Sequence, residues 1–174
     1  MTVKVGEKAP EFSTMAYQAG NYKQISSKDY KGKWIILFFY PRDFTFVCPT
    51  EIKGFANKEA EFNKLNAVII GASTDSHQSH KAWFEKDLPS VKFPILSDAN
   101  HSITKDYGIL IEETGEALRG TFVIDPDGII QYIVVSSLNV GRSTSETLRV
   151  LQALQTGGLC AVDWEPGQEN LKKG

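Results

Sequence analysis

Cys48 follows an apolar run, Trp34 to Tyr40, and precedes Pro49, with Thr45 three positions before it and Glu51 three positions after it. Proline suits the first turn of a helix, where its fixed φ is already helical and its missing N–H had no partner to lose. The spacing therefore predicts Pro49 at the first helical position and Cys48 at a helix N-terminus. There the unpaired N–H groups and the positive end of the dipole favour an anion, and the thiolate is the nucleophilic form of cysteine. Arg42 adds positive charge if its side chain turns inward. On residue type alone two other readings stand: Cys48 as a small buried hydrophobe, and Thr45 as a β-branched loop residue.

The elements that position this segment follow from hydrophobic periodicity. Runs rich in β-branched and aromatic residues alternate with amphipathic stretches, as in a mixed α/β domain. Trp34 to Phe39 reads as a strand and Pro49 to Leu65 as a helix, with Ile52, Phe55, Ala56, Phe62 and Leu65 forming a core-facing stripe. Ala67 to Ala72 reads as a buried strand, Ser76 to Lys86 as a helix ending before Leu88-Pro89, and Phe93 to Leu96 as a short strand. Asn100 to Tyr107 reads as a short helix stopped by Gly108. Asp125-Pro126-Asp127-Gly128 is a turn sequence, so Thr121 to Ile124 and Ile129 to Val135 are expected to pair as a hairpin. Ser143 to Gln155 reads as a helix with Ser143 as N-cap, Glu146 as its capping-box partner, and Leu148, Leu151 and Leu154 inward.

Composition narrows the function classes. A chain of 174 residues fits one domain with a substantial core. A formal charge of −2 with scattered lysines and arginines gives no basic field for nucleic acid. The longest apolar run, Trp34 to Tyr40, falls far short of the roughly 20 residues that span a bilayer. Met1 to Lys8 contains no apolar signal-peptide core, so a cytoplasmic protein without membrane or nucleic-acid partners is expected.

Cys160, the only other cysteine, lies in Thr156-Gly157-Gly158-Leu159-Cys160-Ala161-Val162-Asp163-Trp164, beyond the last expected helix. The glycines before it imply a mobile segment, and the chain divides into residues 1–156 and a tail, 157–174. The two cysteines are too far apart for a CxxC motif, and two thiols do not make a zinc site. A structural disulfide stays open but suits a cytosolic chain poorly. His77 and His80, near Asp75, are expected on a helix surface rather than as metal ligands, and His101 at a helix start. No metal or cofactor is expected.

Pro41-x-x-x-Thr45-x-x-Cys48 resembles the active-site motif of the peroxiredoxins. Phe44-Thr45-Phe46-Val47-Cys48-Pro49-Thr50-Glu51 resembles their typical two-cysteine branch, which includes the peroxidase component of bacterial alkyl hydroperoxide reductase. Ser73-Thr74-Asp75-Ser76-His77, His80-Lys81-Ala82-Trp83, Leu118 to Pro126 and Val140-Gly141-Arg142 also match, so the resemblance covers about residues 3–166. It implies a thioredoxin-like fold, a central mixed β-sheet flanked by helices. It also implies a thiol peroxidase for hydrogen peroxide and organic hydroperoxides, with a role in antioxidant defence.

In that reading the Cys48 thiolate attacks the peroxide and becomes a sulfenic acid. Arg119 and Arg142 hold the thiolate and the developing charge, Thr45 bridges thiolate and peroxide, Pro41 shields the site, and Glu51 orients an arginine. Cys160 and Trp164 match the family's Cys-x-x-x-Trp tail, which makes Cys160 of the partner subunit the resolving residue. Thioredoxin or a dedicated disulfide reductase would reduce the resulting disulfide. The resemblance further implies a homodimer, and dimers that join into a decameric ring near Ser73 to His77.

Three departures bear on the tail. Ala161 stands where many members have proline, the Gly-Gly-Leu-Gly-like insertion is missing between Lys86 and Phe93, and the chain ends without a Tyr-Phe helix. The tail is therefore expected to unfold readily, so that disulfide formation outruns overoxidation of Cys48. Two functions of other classes compete. A disulfide oxidoreductase would need a second cysteine beside Cys48, which Cys-Pro-Thr-Glu lacks; an oligomeric holdase is an added role compatible with both cysteines.

Overall fold

The computed structural model describes residues 3–172. Met1, Thr2, Lys173 and Gly174, the outermost residues of the two expected units, lie outside them. The chain opens with a hairpin of β1 (Ser13–Gln18) and β2 (Asn21–Ser26), followed by a 3₁₀ turn, Ser27–Tyr30. Next come β3 (Trp34–Phe39), α1 (Cys48–Lys64), β4 (Ala67–Ser73) and α2 (His77–Asp87). After β5 (Ile95–Ser97) and α3 (Ser102–Asp106), a small hairpin pairs β6 (Leu110–Ile111) with β7 (Glu116–Ala117). The hairpin β8 (Arg119–Ile124) and β9 (Ile130–Ser136) precedes α4 (Thr144–Thr156).

Seven strands form one mixed sheet in the order β2-β1-β5-β4-β3-β8-β9. β3 is buried on both faces, which is why it reads as an unbroken apolar run. Its side chains alternate: Ile36, Phe38 and Tyr40 join a core with Phe55, Phe62, Trp83, Phe84 and Leu151 of α1, α2 and α4. Ile35, Leu37 and Phe39 join Ile103, Tyr107 and Phe122 on the other face, beside α3.

The expected elements are present with shifted ends. β8 begins at Arg119, two residues early, and Asp125 explains the turn, its carboxylate accepting from the N–H groups of Asp127 and Ile129. His101 does start α3, yet the capping carboxylate is that of Asp98, which accepts from Ile103 and Thr104. The capping box at α4 is only half formed. Ser143 Oγ accepts from the Glu146 N–H at 3.1 Å, but the Glu146 carboxylate turns to Arg149 instead.

The register of the central strands places the chemistry. Because β8 runs antiparallel to β3, with Thr121 opposite Phe38, the start of β8 lies beside the end of β3. On the helical side α4 comes close to α1 at Gly54, where an added Cβ would sit 3.0 Å from Thr144 Cγ2. That approach carries the residues before α4 onto the first turns of α1.

Packing at the sheet centre is as close. A Cβ on Gly71 would sit 2.8 Å from Ile95 Cδ1 and 3.0 Å from Phe38 Cζ, both in fully buried side chains. Gly71→Val should therefore destabilise by about 1–3 kcal/mol, the usual cost of overpacking, and lower Tm by roughly 2–4 °C for each kcal/mol. Thermal unfolding followed by circular dichroism checks this; an unchanged Tm would contradict it.

Candidate active site

β3 delivers Tyr40 and Pro41, both buried, to the loop that precedes α1. Cys48 is the first residue of α1 and 0 % exposed. Pro49 is thus the second helical residue rather than the first, because Val47 is already helical at φ −78° and ψ −42°. No side-chain hydrogen bond caps this end of the helix, and the acidic residue of its first turn is Glu51. Glu51 follows three residues later, a spacing that puts it on the Cys48 face of the helix.

Two arginines from other elements converge on this turn. Arg119, at the start of β8, donates from Nε to the Leu138 carbonyl at 2.8 Å. Its Nη1 lies 3.4 Å from Cys48 Sγ and 2.6 Å from Glu51 Oε2. Arg142, just ahead of α4, donates its backbone N–H and Nε to Glu51 Oε1, both at 2.8 Å, and Nη2 to Oε2 at 2.9 Å. Its Nη1 reaches the Gly120 carbonyl at 2.6 Å, and its guanidinium lies 5.6 Å from the centre of the Phe38 ring.

All three charged side chains are at most 4 % exposed, so their interactions are little screened by water. Burial alone pushes the Glu51 carboxyl up, but the hydrogen bonds and charge of Arg142, with Arg119 behind them, outweigh it and hold Glu51 below its ordinary value. Two guanidiniums and one carboxylate leave one net positive charge next to Cys48. A thiolate at Cys48 makes the cluster neutral.

The remaining expected residues divide. Thr45 is partly exposed and donates its one hydroxyl hydrogen to the Arg42 carbonyl at 3.1 Å, so in this structure it does not donate to Cys48; its lone pairs remain to accept. Arg42 turns outward and pairs with Glu116 at 2.6 Å, away from the thiol. Cys160 is not brought to Cys48, and both are free thiols. The tail beyond α4 is docked rather than loose: Trp164 is 4 % exposed, and Cys160 Sγ lies 3.6 Å from the Ala153 carbonyl.

His80 is the main correction. Expected on the surface of α2, it is 0 % exposed and packs in the helix stripe with Trp83 and Phe84. His80 Nδ1 lies 2.8 Å from Asp43 Oδ2 and Nε2 lies 3.1 Å from the Leu96 carbonyl, so both ring nitrogens face acceptors. Asp43 also accepts from Ser79 Oγ and Tyr40 Oη, both at 2.8 Å, while its N–H donates to Asp75 at 2.9 Å. Burial, followed by the Asp43 charge and bond, pushes Tyr40 up and keeps it a phenol donor. Asp43 therefore pins the loop before Cys48 to α2 and to the segment after β4. His77 is partly exposed and meets Tyr22 edge-on. Among the described residues no group of three or more His, Cys, Asp or Glu side chains is placed to hold a metal ion.

A model of the AhpC/TSA family matches residues 5–133. Peroxiredoxin prdx-2 of Caenorhabditis elegans is 46 % identical over 98 % of this chain and 89 % of its own. The reduced 2-Cys peroxiredoxin of Plasmodium vivax superposes with a TM-score of 0.94 at 34 % identity, over 98 % of this chain and 93 % of the other. AhpC of Mycobacterium tuberculosis gives 0.87 at 37 % identity, over 95 % and 100 %. With a thioredoxin-like fold, a buried cysteine at the head of α1 and two arginines gathered on it, the chain belongs to the AhpC/TSA family and is a two-cysteine peroxiredoxin, a thiol-dependent peroxidase.

Proposed function

We propose that Cys48 is the attacking residue and that Arg119, Arg142, Thr45, Pro41 and Glu51 form its site. The observation that carries this reading is the 3.4 Å contact from Arg119 Nη1 to Cys48 Sγ, with Arg119 and Arg142 both tied to Glu51. The thiolate sulfur attacks the terminal oxygen of hydrogen peroxide or an organic hydroperoxide, the O–O bond breaks, and Cys48 becomes a sulfenic acid. The departing alkoxide or hydroxide takes one proton from solvent. Negative charge moves from sulfur to oxygen in this step, and guanidiniums already fixed in place stabilise it without reorganising. Thr45 accepts a hydrogen bond from the peroxide, while buried Pro41 keeps bulk water from the sulfur.

Cys160 of the partner subunit then attacks the Cys48 sulfenic sulfur. The S–S bond forms as the S–O bond breaks, and the hydroxyl leaves with the Cys160 proton as water. Because Cys48 is fully buried, the first turn of α1 opens before the sulfurs meet. Residues 157–174 act as the resolving tail of the domain formed by 1–156. Thioredoxin or a dedicated disulfide reductase returns both thiols. The protein works as a homodimer that can assemble into a decameric ring, in the cytoplasm; among the described residues no helix is long and apolar enough to cross a membrane.

Removing one fixed donor to developing charge costs about 10²–10³ in rate, so Arg119→Met should lower the second-order rate constant for peroxide by that factor. Stopped-flow kinetics measures it, and a loss under threefold would contradict the assigned role. Glu51 makes a separate prediction. Its carboxyl is held lower in the folded state, so the cluster adds stability above the ordinary carboxylate value of about 4.3 and loses it as pH falls through the lower folded value. Glu51→Gln should have a lower Tm at neutral pH than wild type and lose less on acidification; equal losses would contradict the ion cluster.

The reading as a whole is tested by non-reducing electrophoresis after one equivalent of hydrogen peroxide. A covalent dimer is expected in wild type and in neither Cys48→Ser nor Cys160→Ser. An oxidised monomer would place the disulfide within one chain, and retention of both thiols would return Cys48 to an inert core residue.

A further inference from the structure

We propose that Arg149 is the latch of the C-terminal tail, a positioning residue that sets how fast Cys160 becomes available to the Cys48 sulfenic acid. This rests on the resolving role proposed for Cys160. Docked, Cys160 is in a resting position: its Sγ lies 3.6 Å from the Ala153 carbonyl and 3.5 Å from Thr156 Oγ1, with its S–H directed at the last turn of α4. To form a disulfide in another subunit it must leave that turn. The rate of its departure depends on what holds residues 157–171 to α4.

Those holds are few. Asn170 Nδ2 donates to Thr156 Oγ1 at the end of α4 at 2.8 Å, while the 2.7 Å bond from Leu171 to the Leu159 carbonyl closes the tail on itself. Trp164 is buried against the body, and Arg149 Nη1 donates to its carbonyl at 2.6 Å. That bond joins the middle of α4 directly to the main chain of Trp164, whose side chain is buried. It is also aimed: Nε and Nη2 make a two-pronged pair with Glu146 at 2.6 and 2.8 Å, which fixes the guanidinium plane so that Nη1 points at Trp164.

The position of Arg149 along α4 links the latch to the site. Glu146 gives its backbone N–H to the Ser143 cap, next to Arg142, which holds Glu51. Arg142 stands just before the Ser143 cap of α4, and Arg149 lies within the helix. The segment that leads into α4 thus ties one arginine to Glu51 beside Cys48, and the helix itself ties another to the tail that carries Cys160. The latch touches neither reacting sulfur, so it acts on the second step alone. There the Cys160 sulfur bonds to the Cys48 sulfur, the S–O bond breaks, and water leaves. A second peroxide competes for the same sulfenic acid and oxidises it to sulfinic acid.

The test is rapid-mixing kinetics of the full chain with hydrogen peroxide, comparing wild type with Arg149→Met, Arg149→Lys and Glu146→Gln. The first phase, proportional to peroxide, reads Cys48 oxidation; the second, independent of peroxide, reads disulfide formation, and mass spectrometry reads the sulfinic fraction. Arg149→Met should leave the first phase within twofold and speed the second about threefold to tenfold, the worth of a partly exposed charge-assisted hydrogen bond. The sulfinic fraction should fall accordingly, and Arg149→Lys, which keeps one donor, should lie between. A second phase in Arg149→Met that is unchanged or slower overturns the latch, as does a matching change in both phases. If Arg149→Met fails to fold, Glu146→Gln decides: a faster second phase supports the latch and an unchanged one overturns it. A wild type that shows no second phase, or a Cys160→Ser chain that still gives the disulfide, would instead overturn the resolving role itself.

Discussion

The buried carboxylate of Glu51 is the constraint on which the arrangement of this site depends. Its two oxygens accept four hydrogen bonds from Arg119 and Arg142, which arrive from the start of β8 and the approach to α4. Two guanidiniums buried without it would face the full desolvation cost of unpaired charge. With it the cluster carries one positive charge, matched to one thiolate. A single carboxylate therefore both fixes where the donors sit and sets how much charge they present.

A second buried cluster holds the other side of the reactive loop. Asp43 accepts from Tyr40 and Ser79 and lies 2.8 Å from His80 Nδ1, so the chain is fixed just after β3, while Glu51 fixes it within α1. The stretch between carries Phe44 and Phe46, which are largely exposed. Between the two anchors, residues 44–50, only Cys48 is fully buried. That suits a cysteine buried for attack on peroxide yet required to meet a second thiol.

The strand-helix core was legible because its periods are strong. β3 is an unbroken apolar run, and Ile52, Phe55 and Phe62 mark the inner face of α1. The motif residues Cys48, Arg119 and Arg142 are brought together around Glu51, whereas the Thr45 hydroxyl donates to the Arg42 carbonyl. The family resemblance implies one arginine partner for Glu51; the second is visible only once the β8 register and the Gly54 approach are known. The β1–β2 hairpin escaped notice because β2 buries only Ile25 fully, leaving no alternation to read. His80 was misplaced because its partner Asp43 lies on another element, although its spacing from Trp83 and Phe84 put it on the buried stripe of α2. In the docked tail Arg149 reaches the Trp164 main-chain carbonyl, a contact that leaves no trace in residue type.

The central claim is that Glu51, Arg119 and Arg142 act as one unit, and a double-mutant cycle on the rate of Cys48 oxidation tests it most directly. Glu51→Gln and Arg142→Met would be measured singly and together, with peroxide as the varied reactant. A unit predicts strong non-additivity, the double variant being little slower than the worse single one. Losses that simply multiply would show that the two residues act independently and would contradict the account.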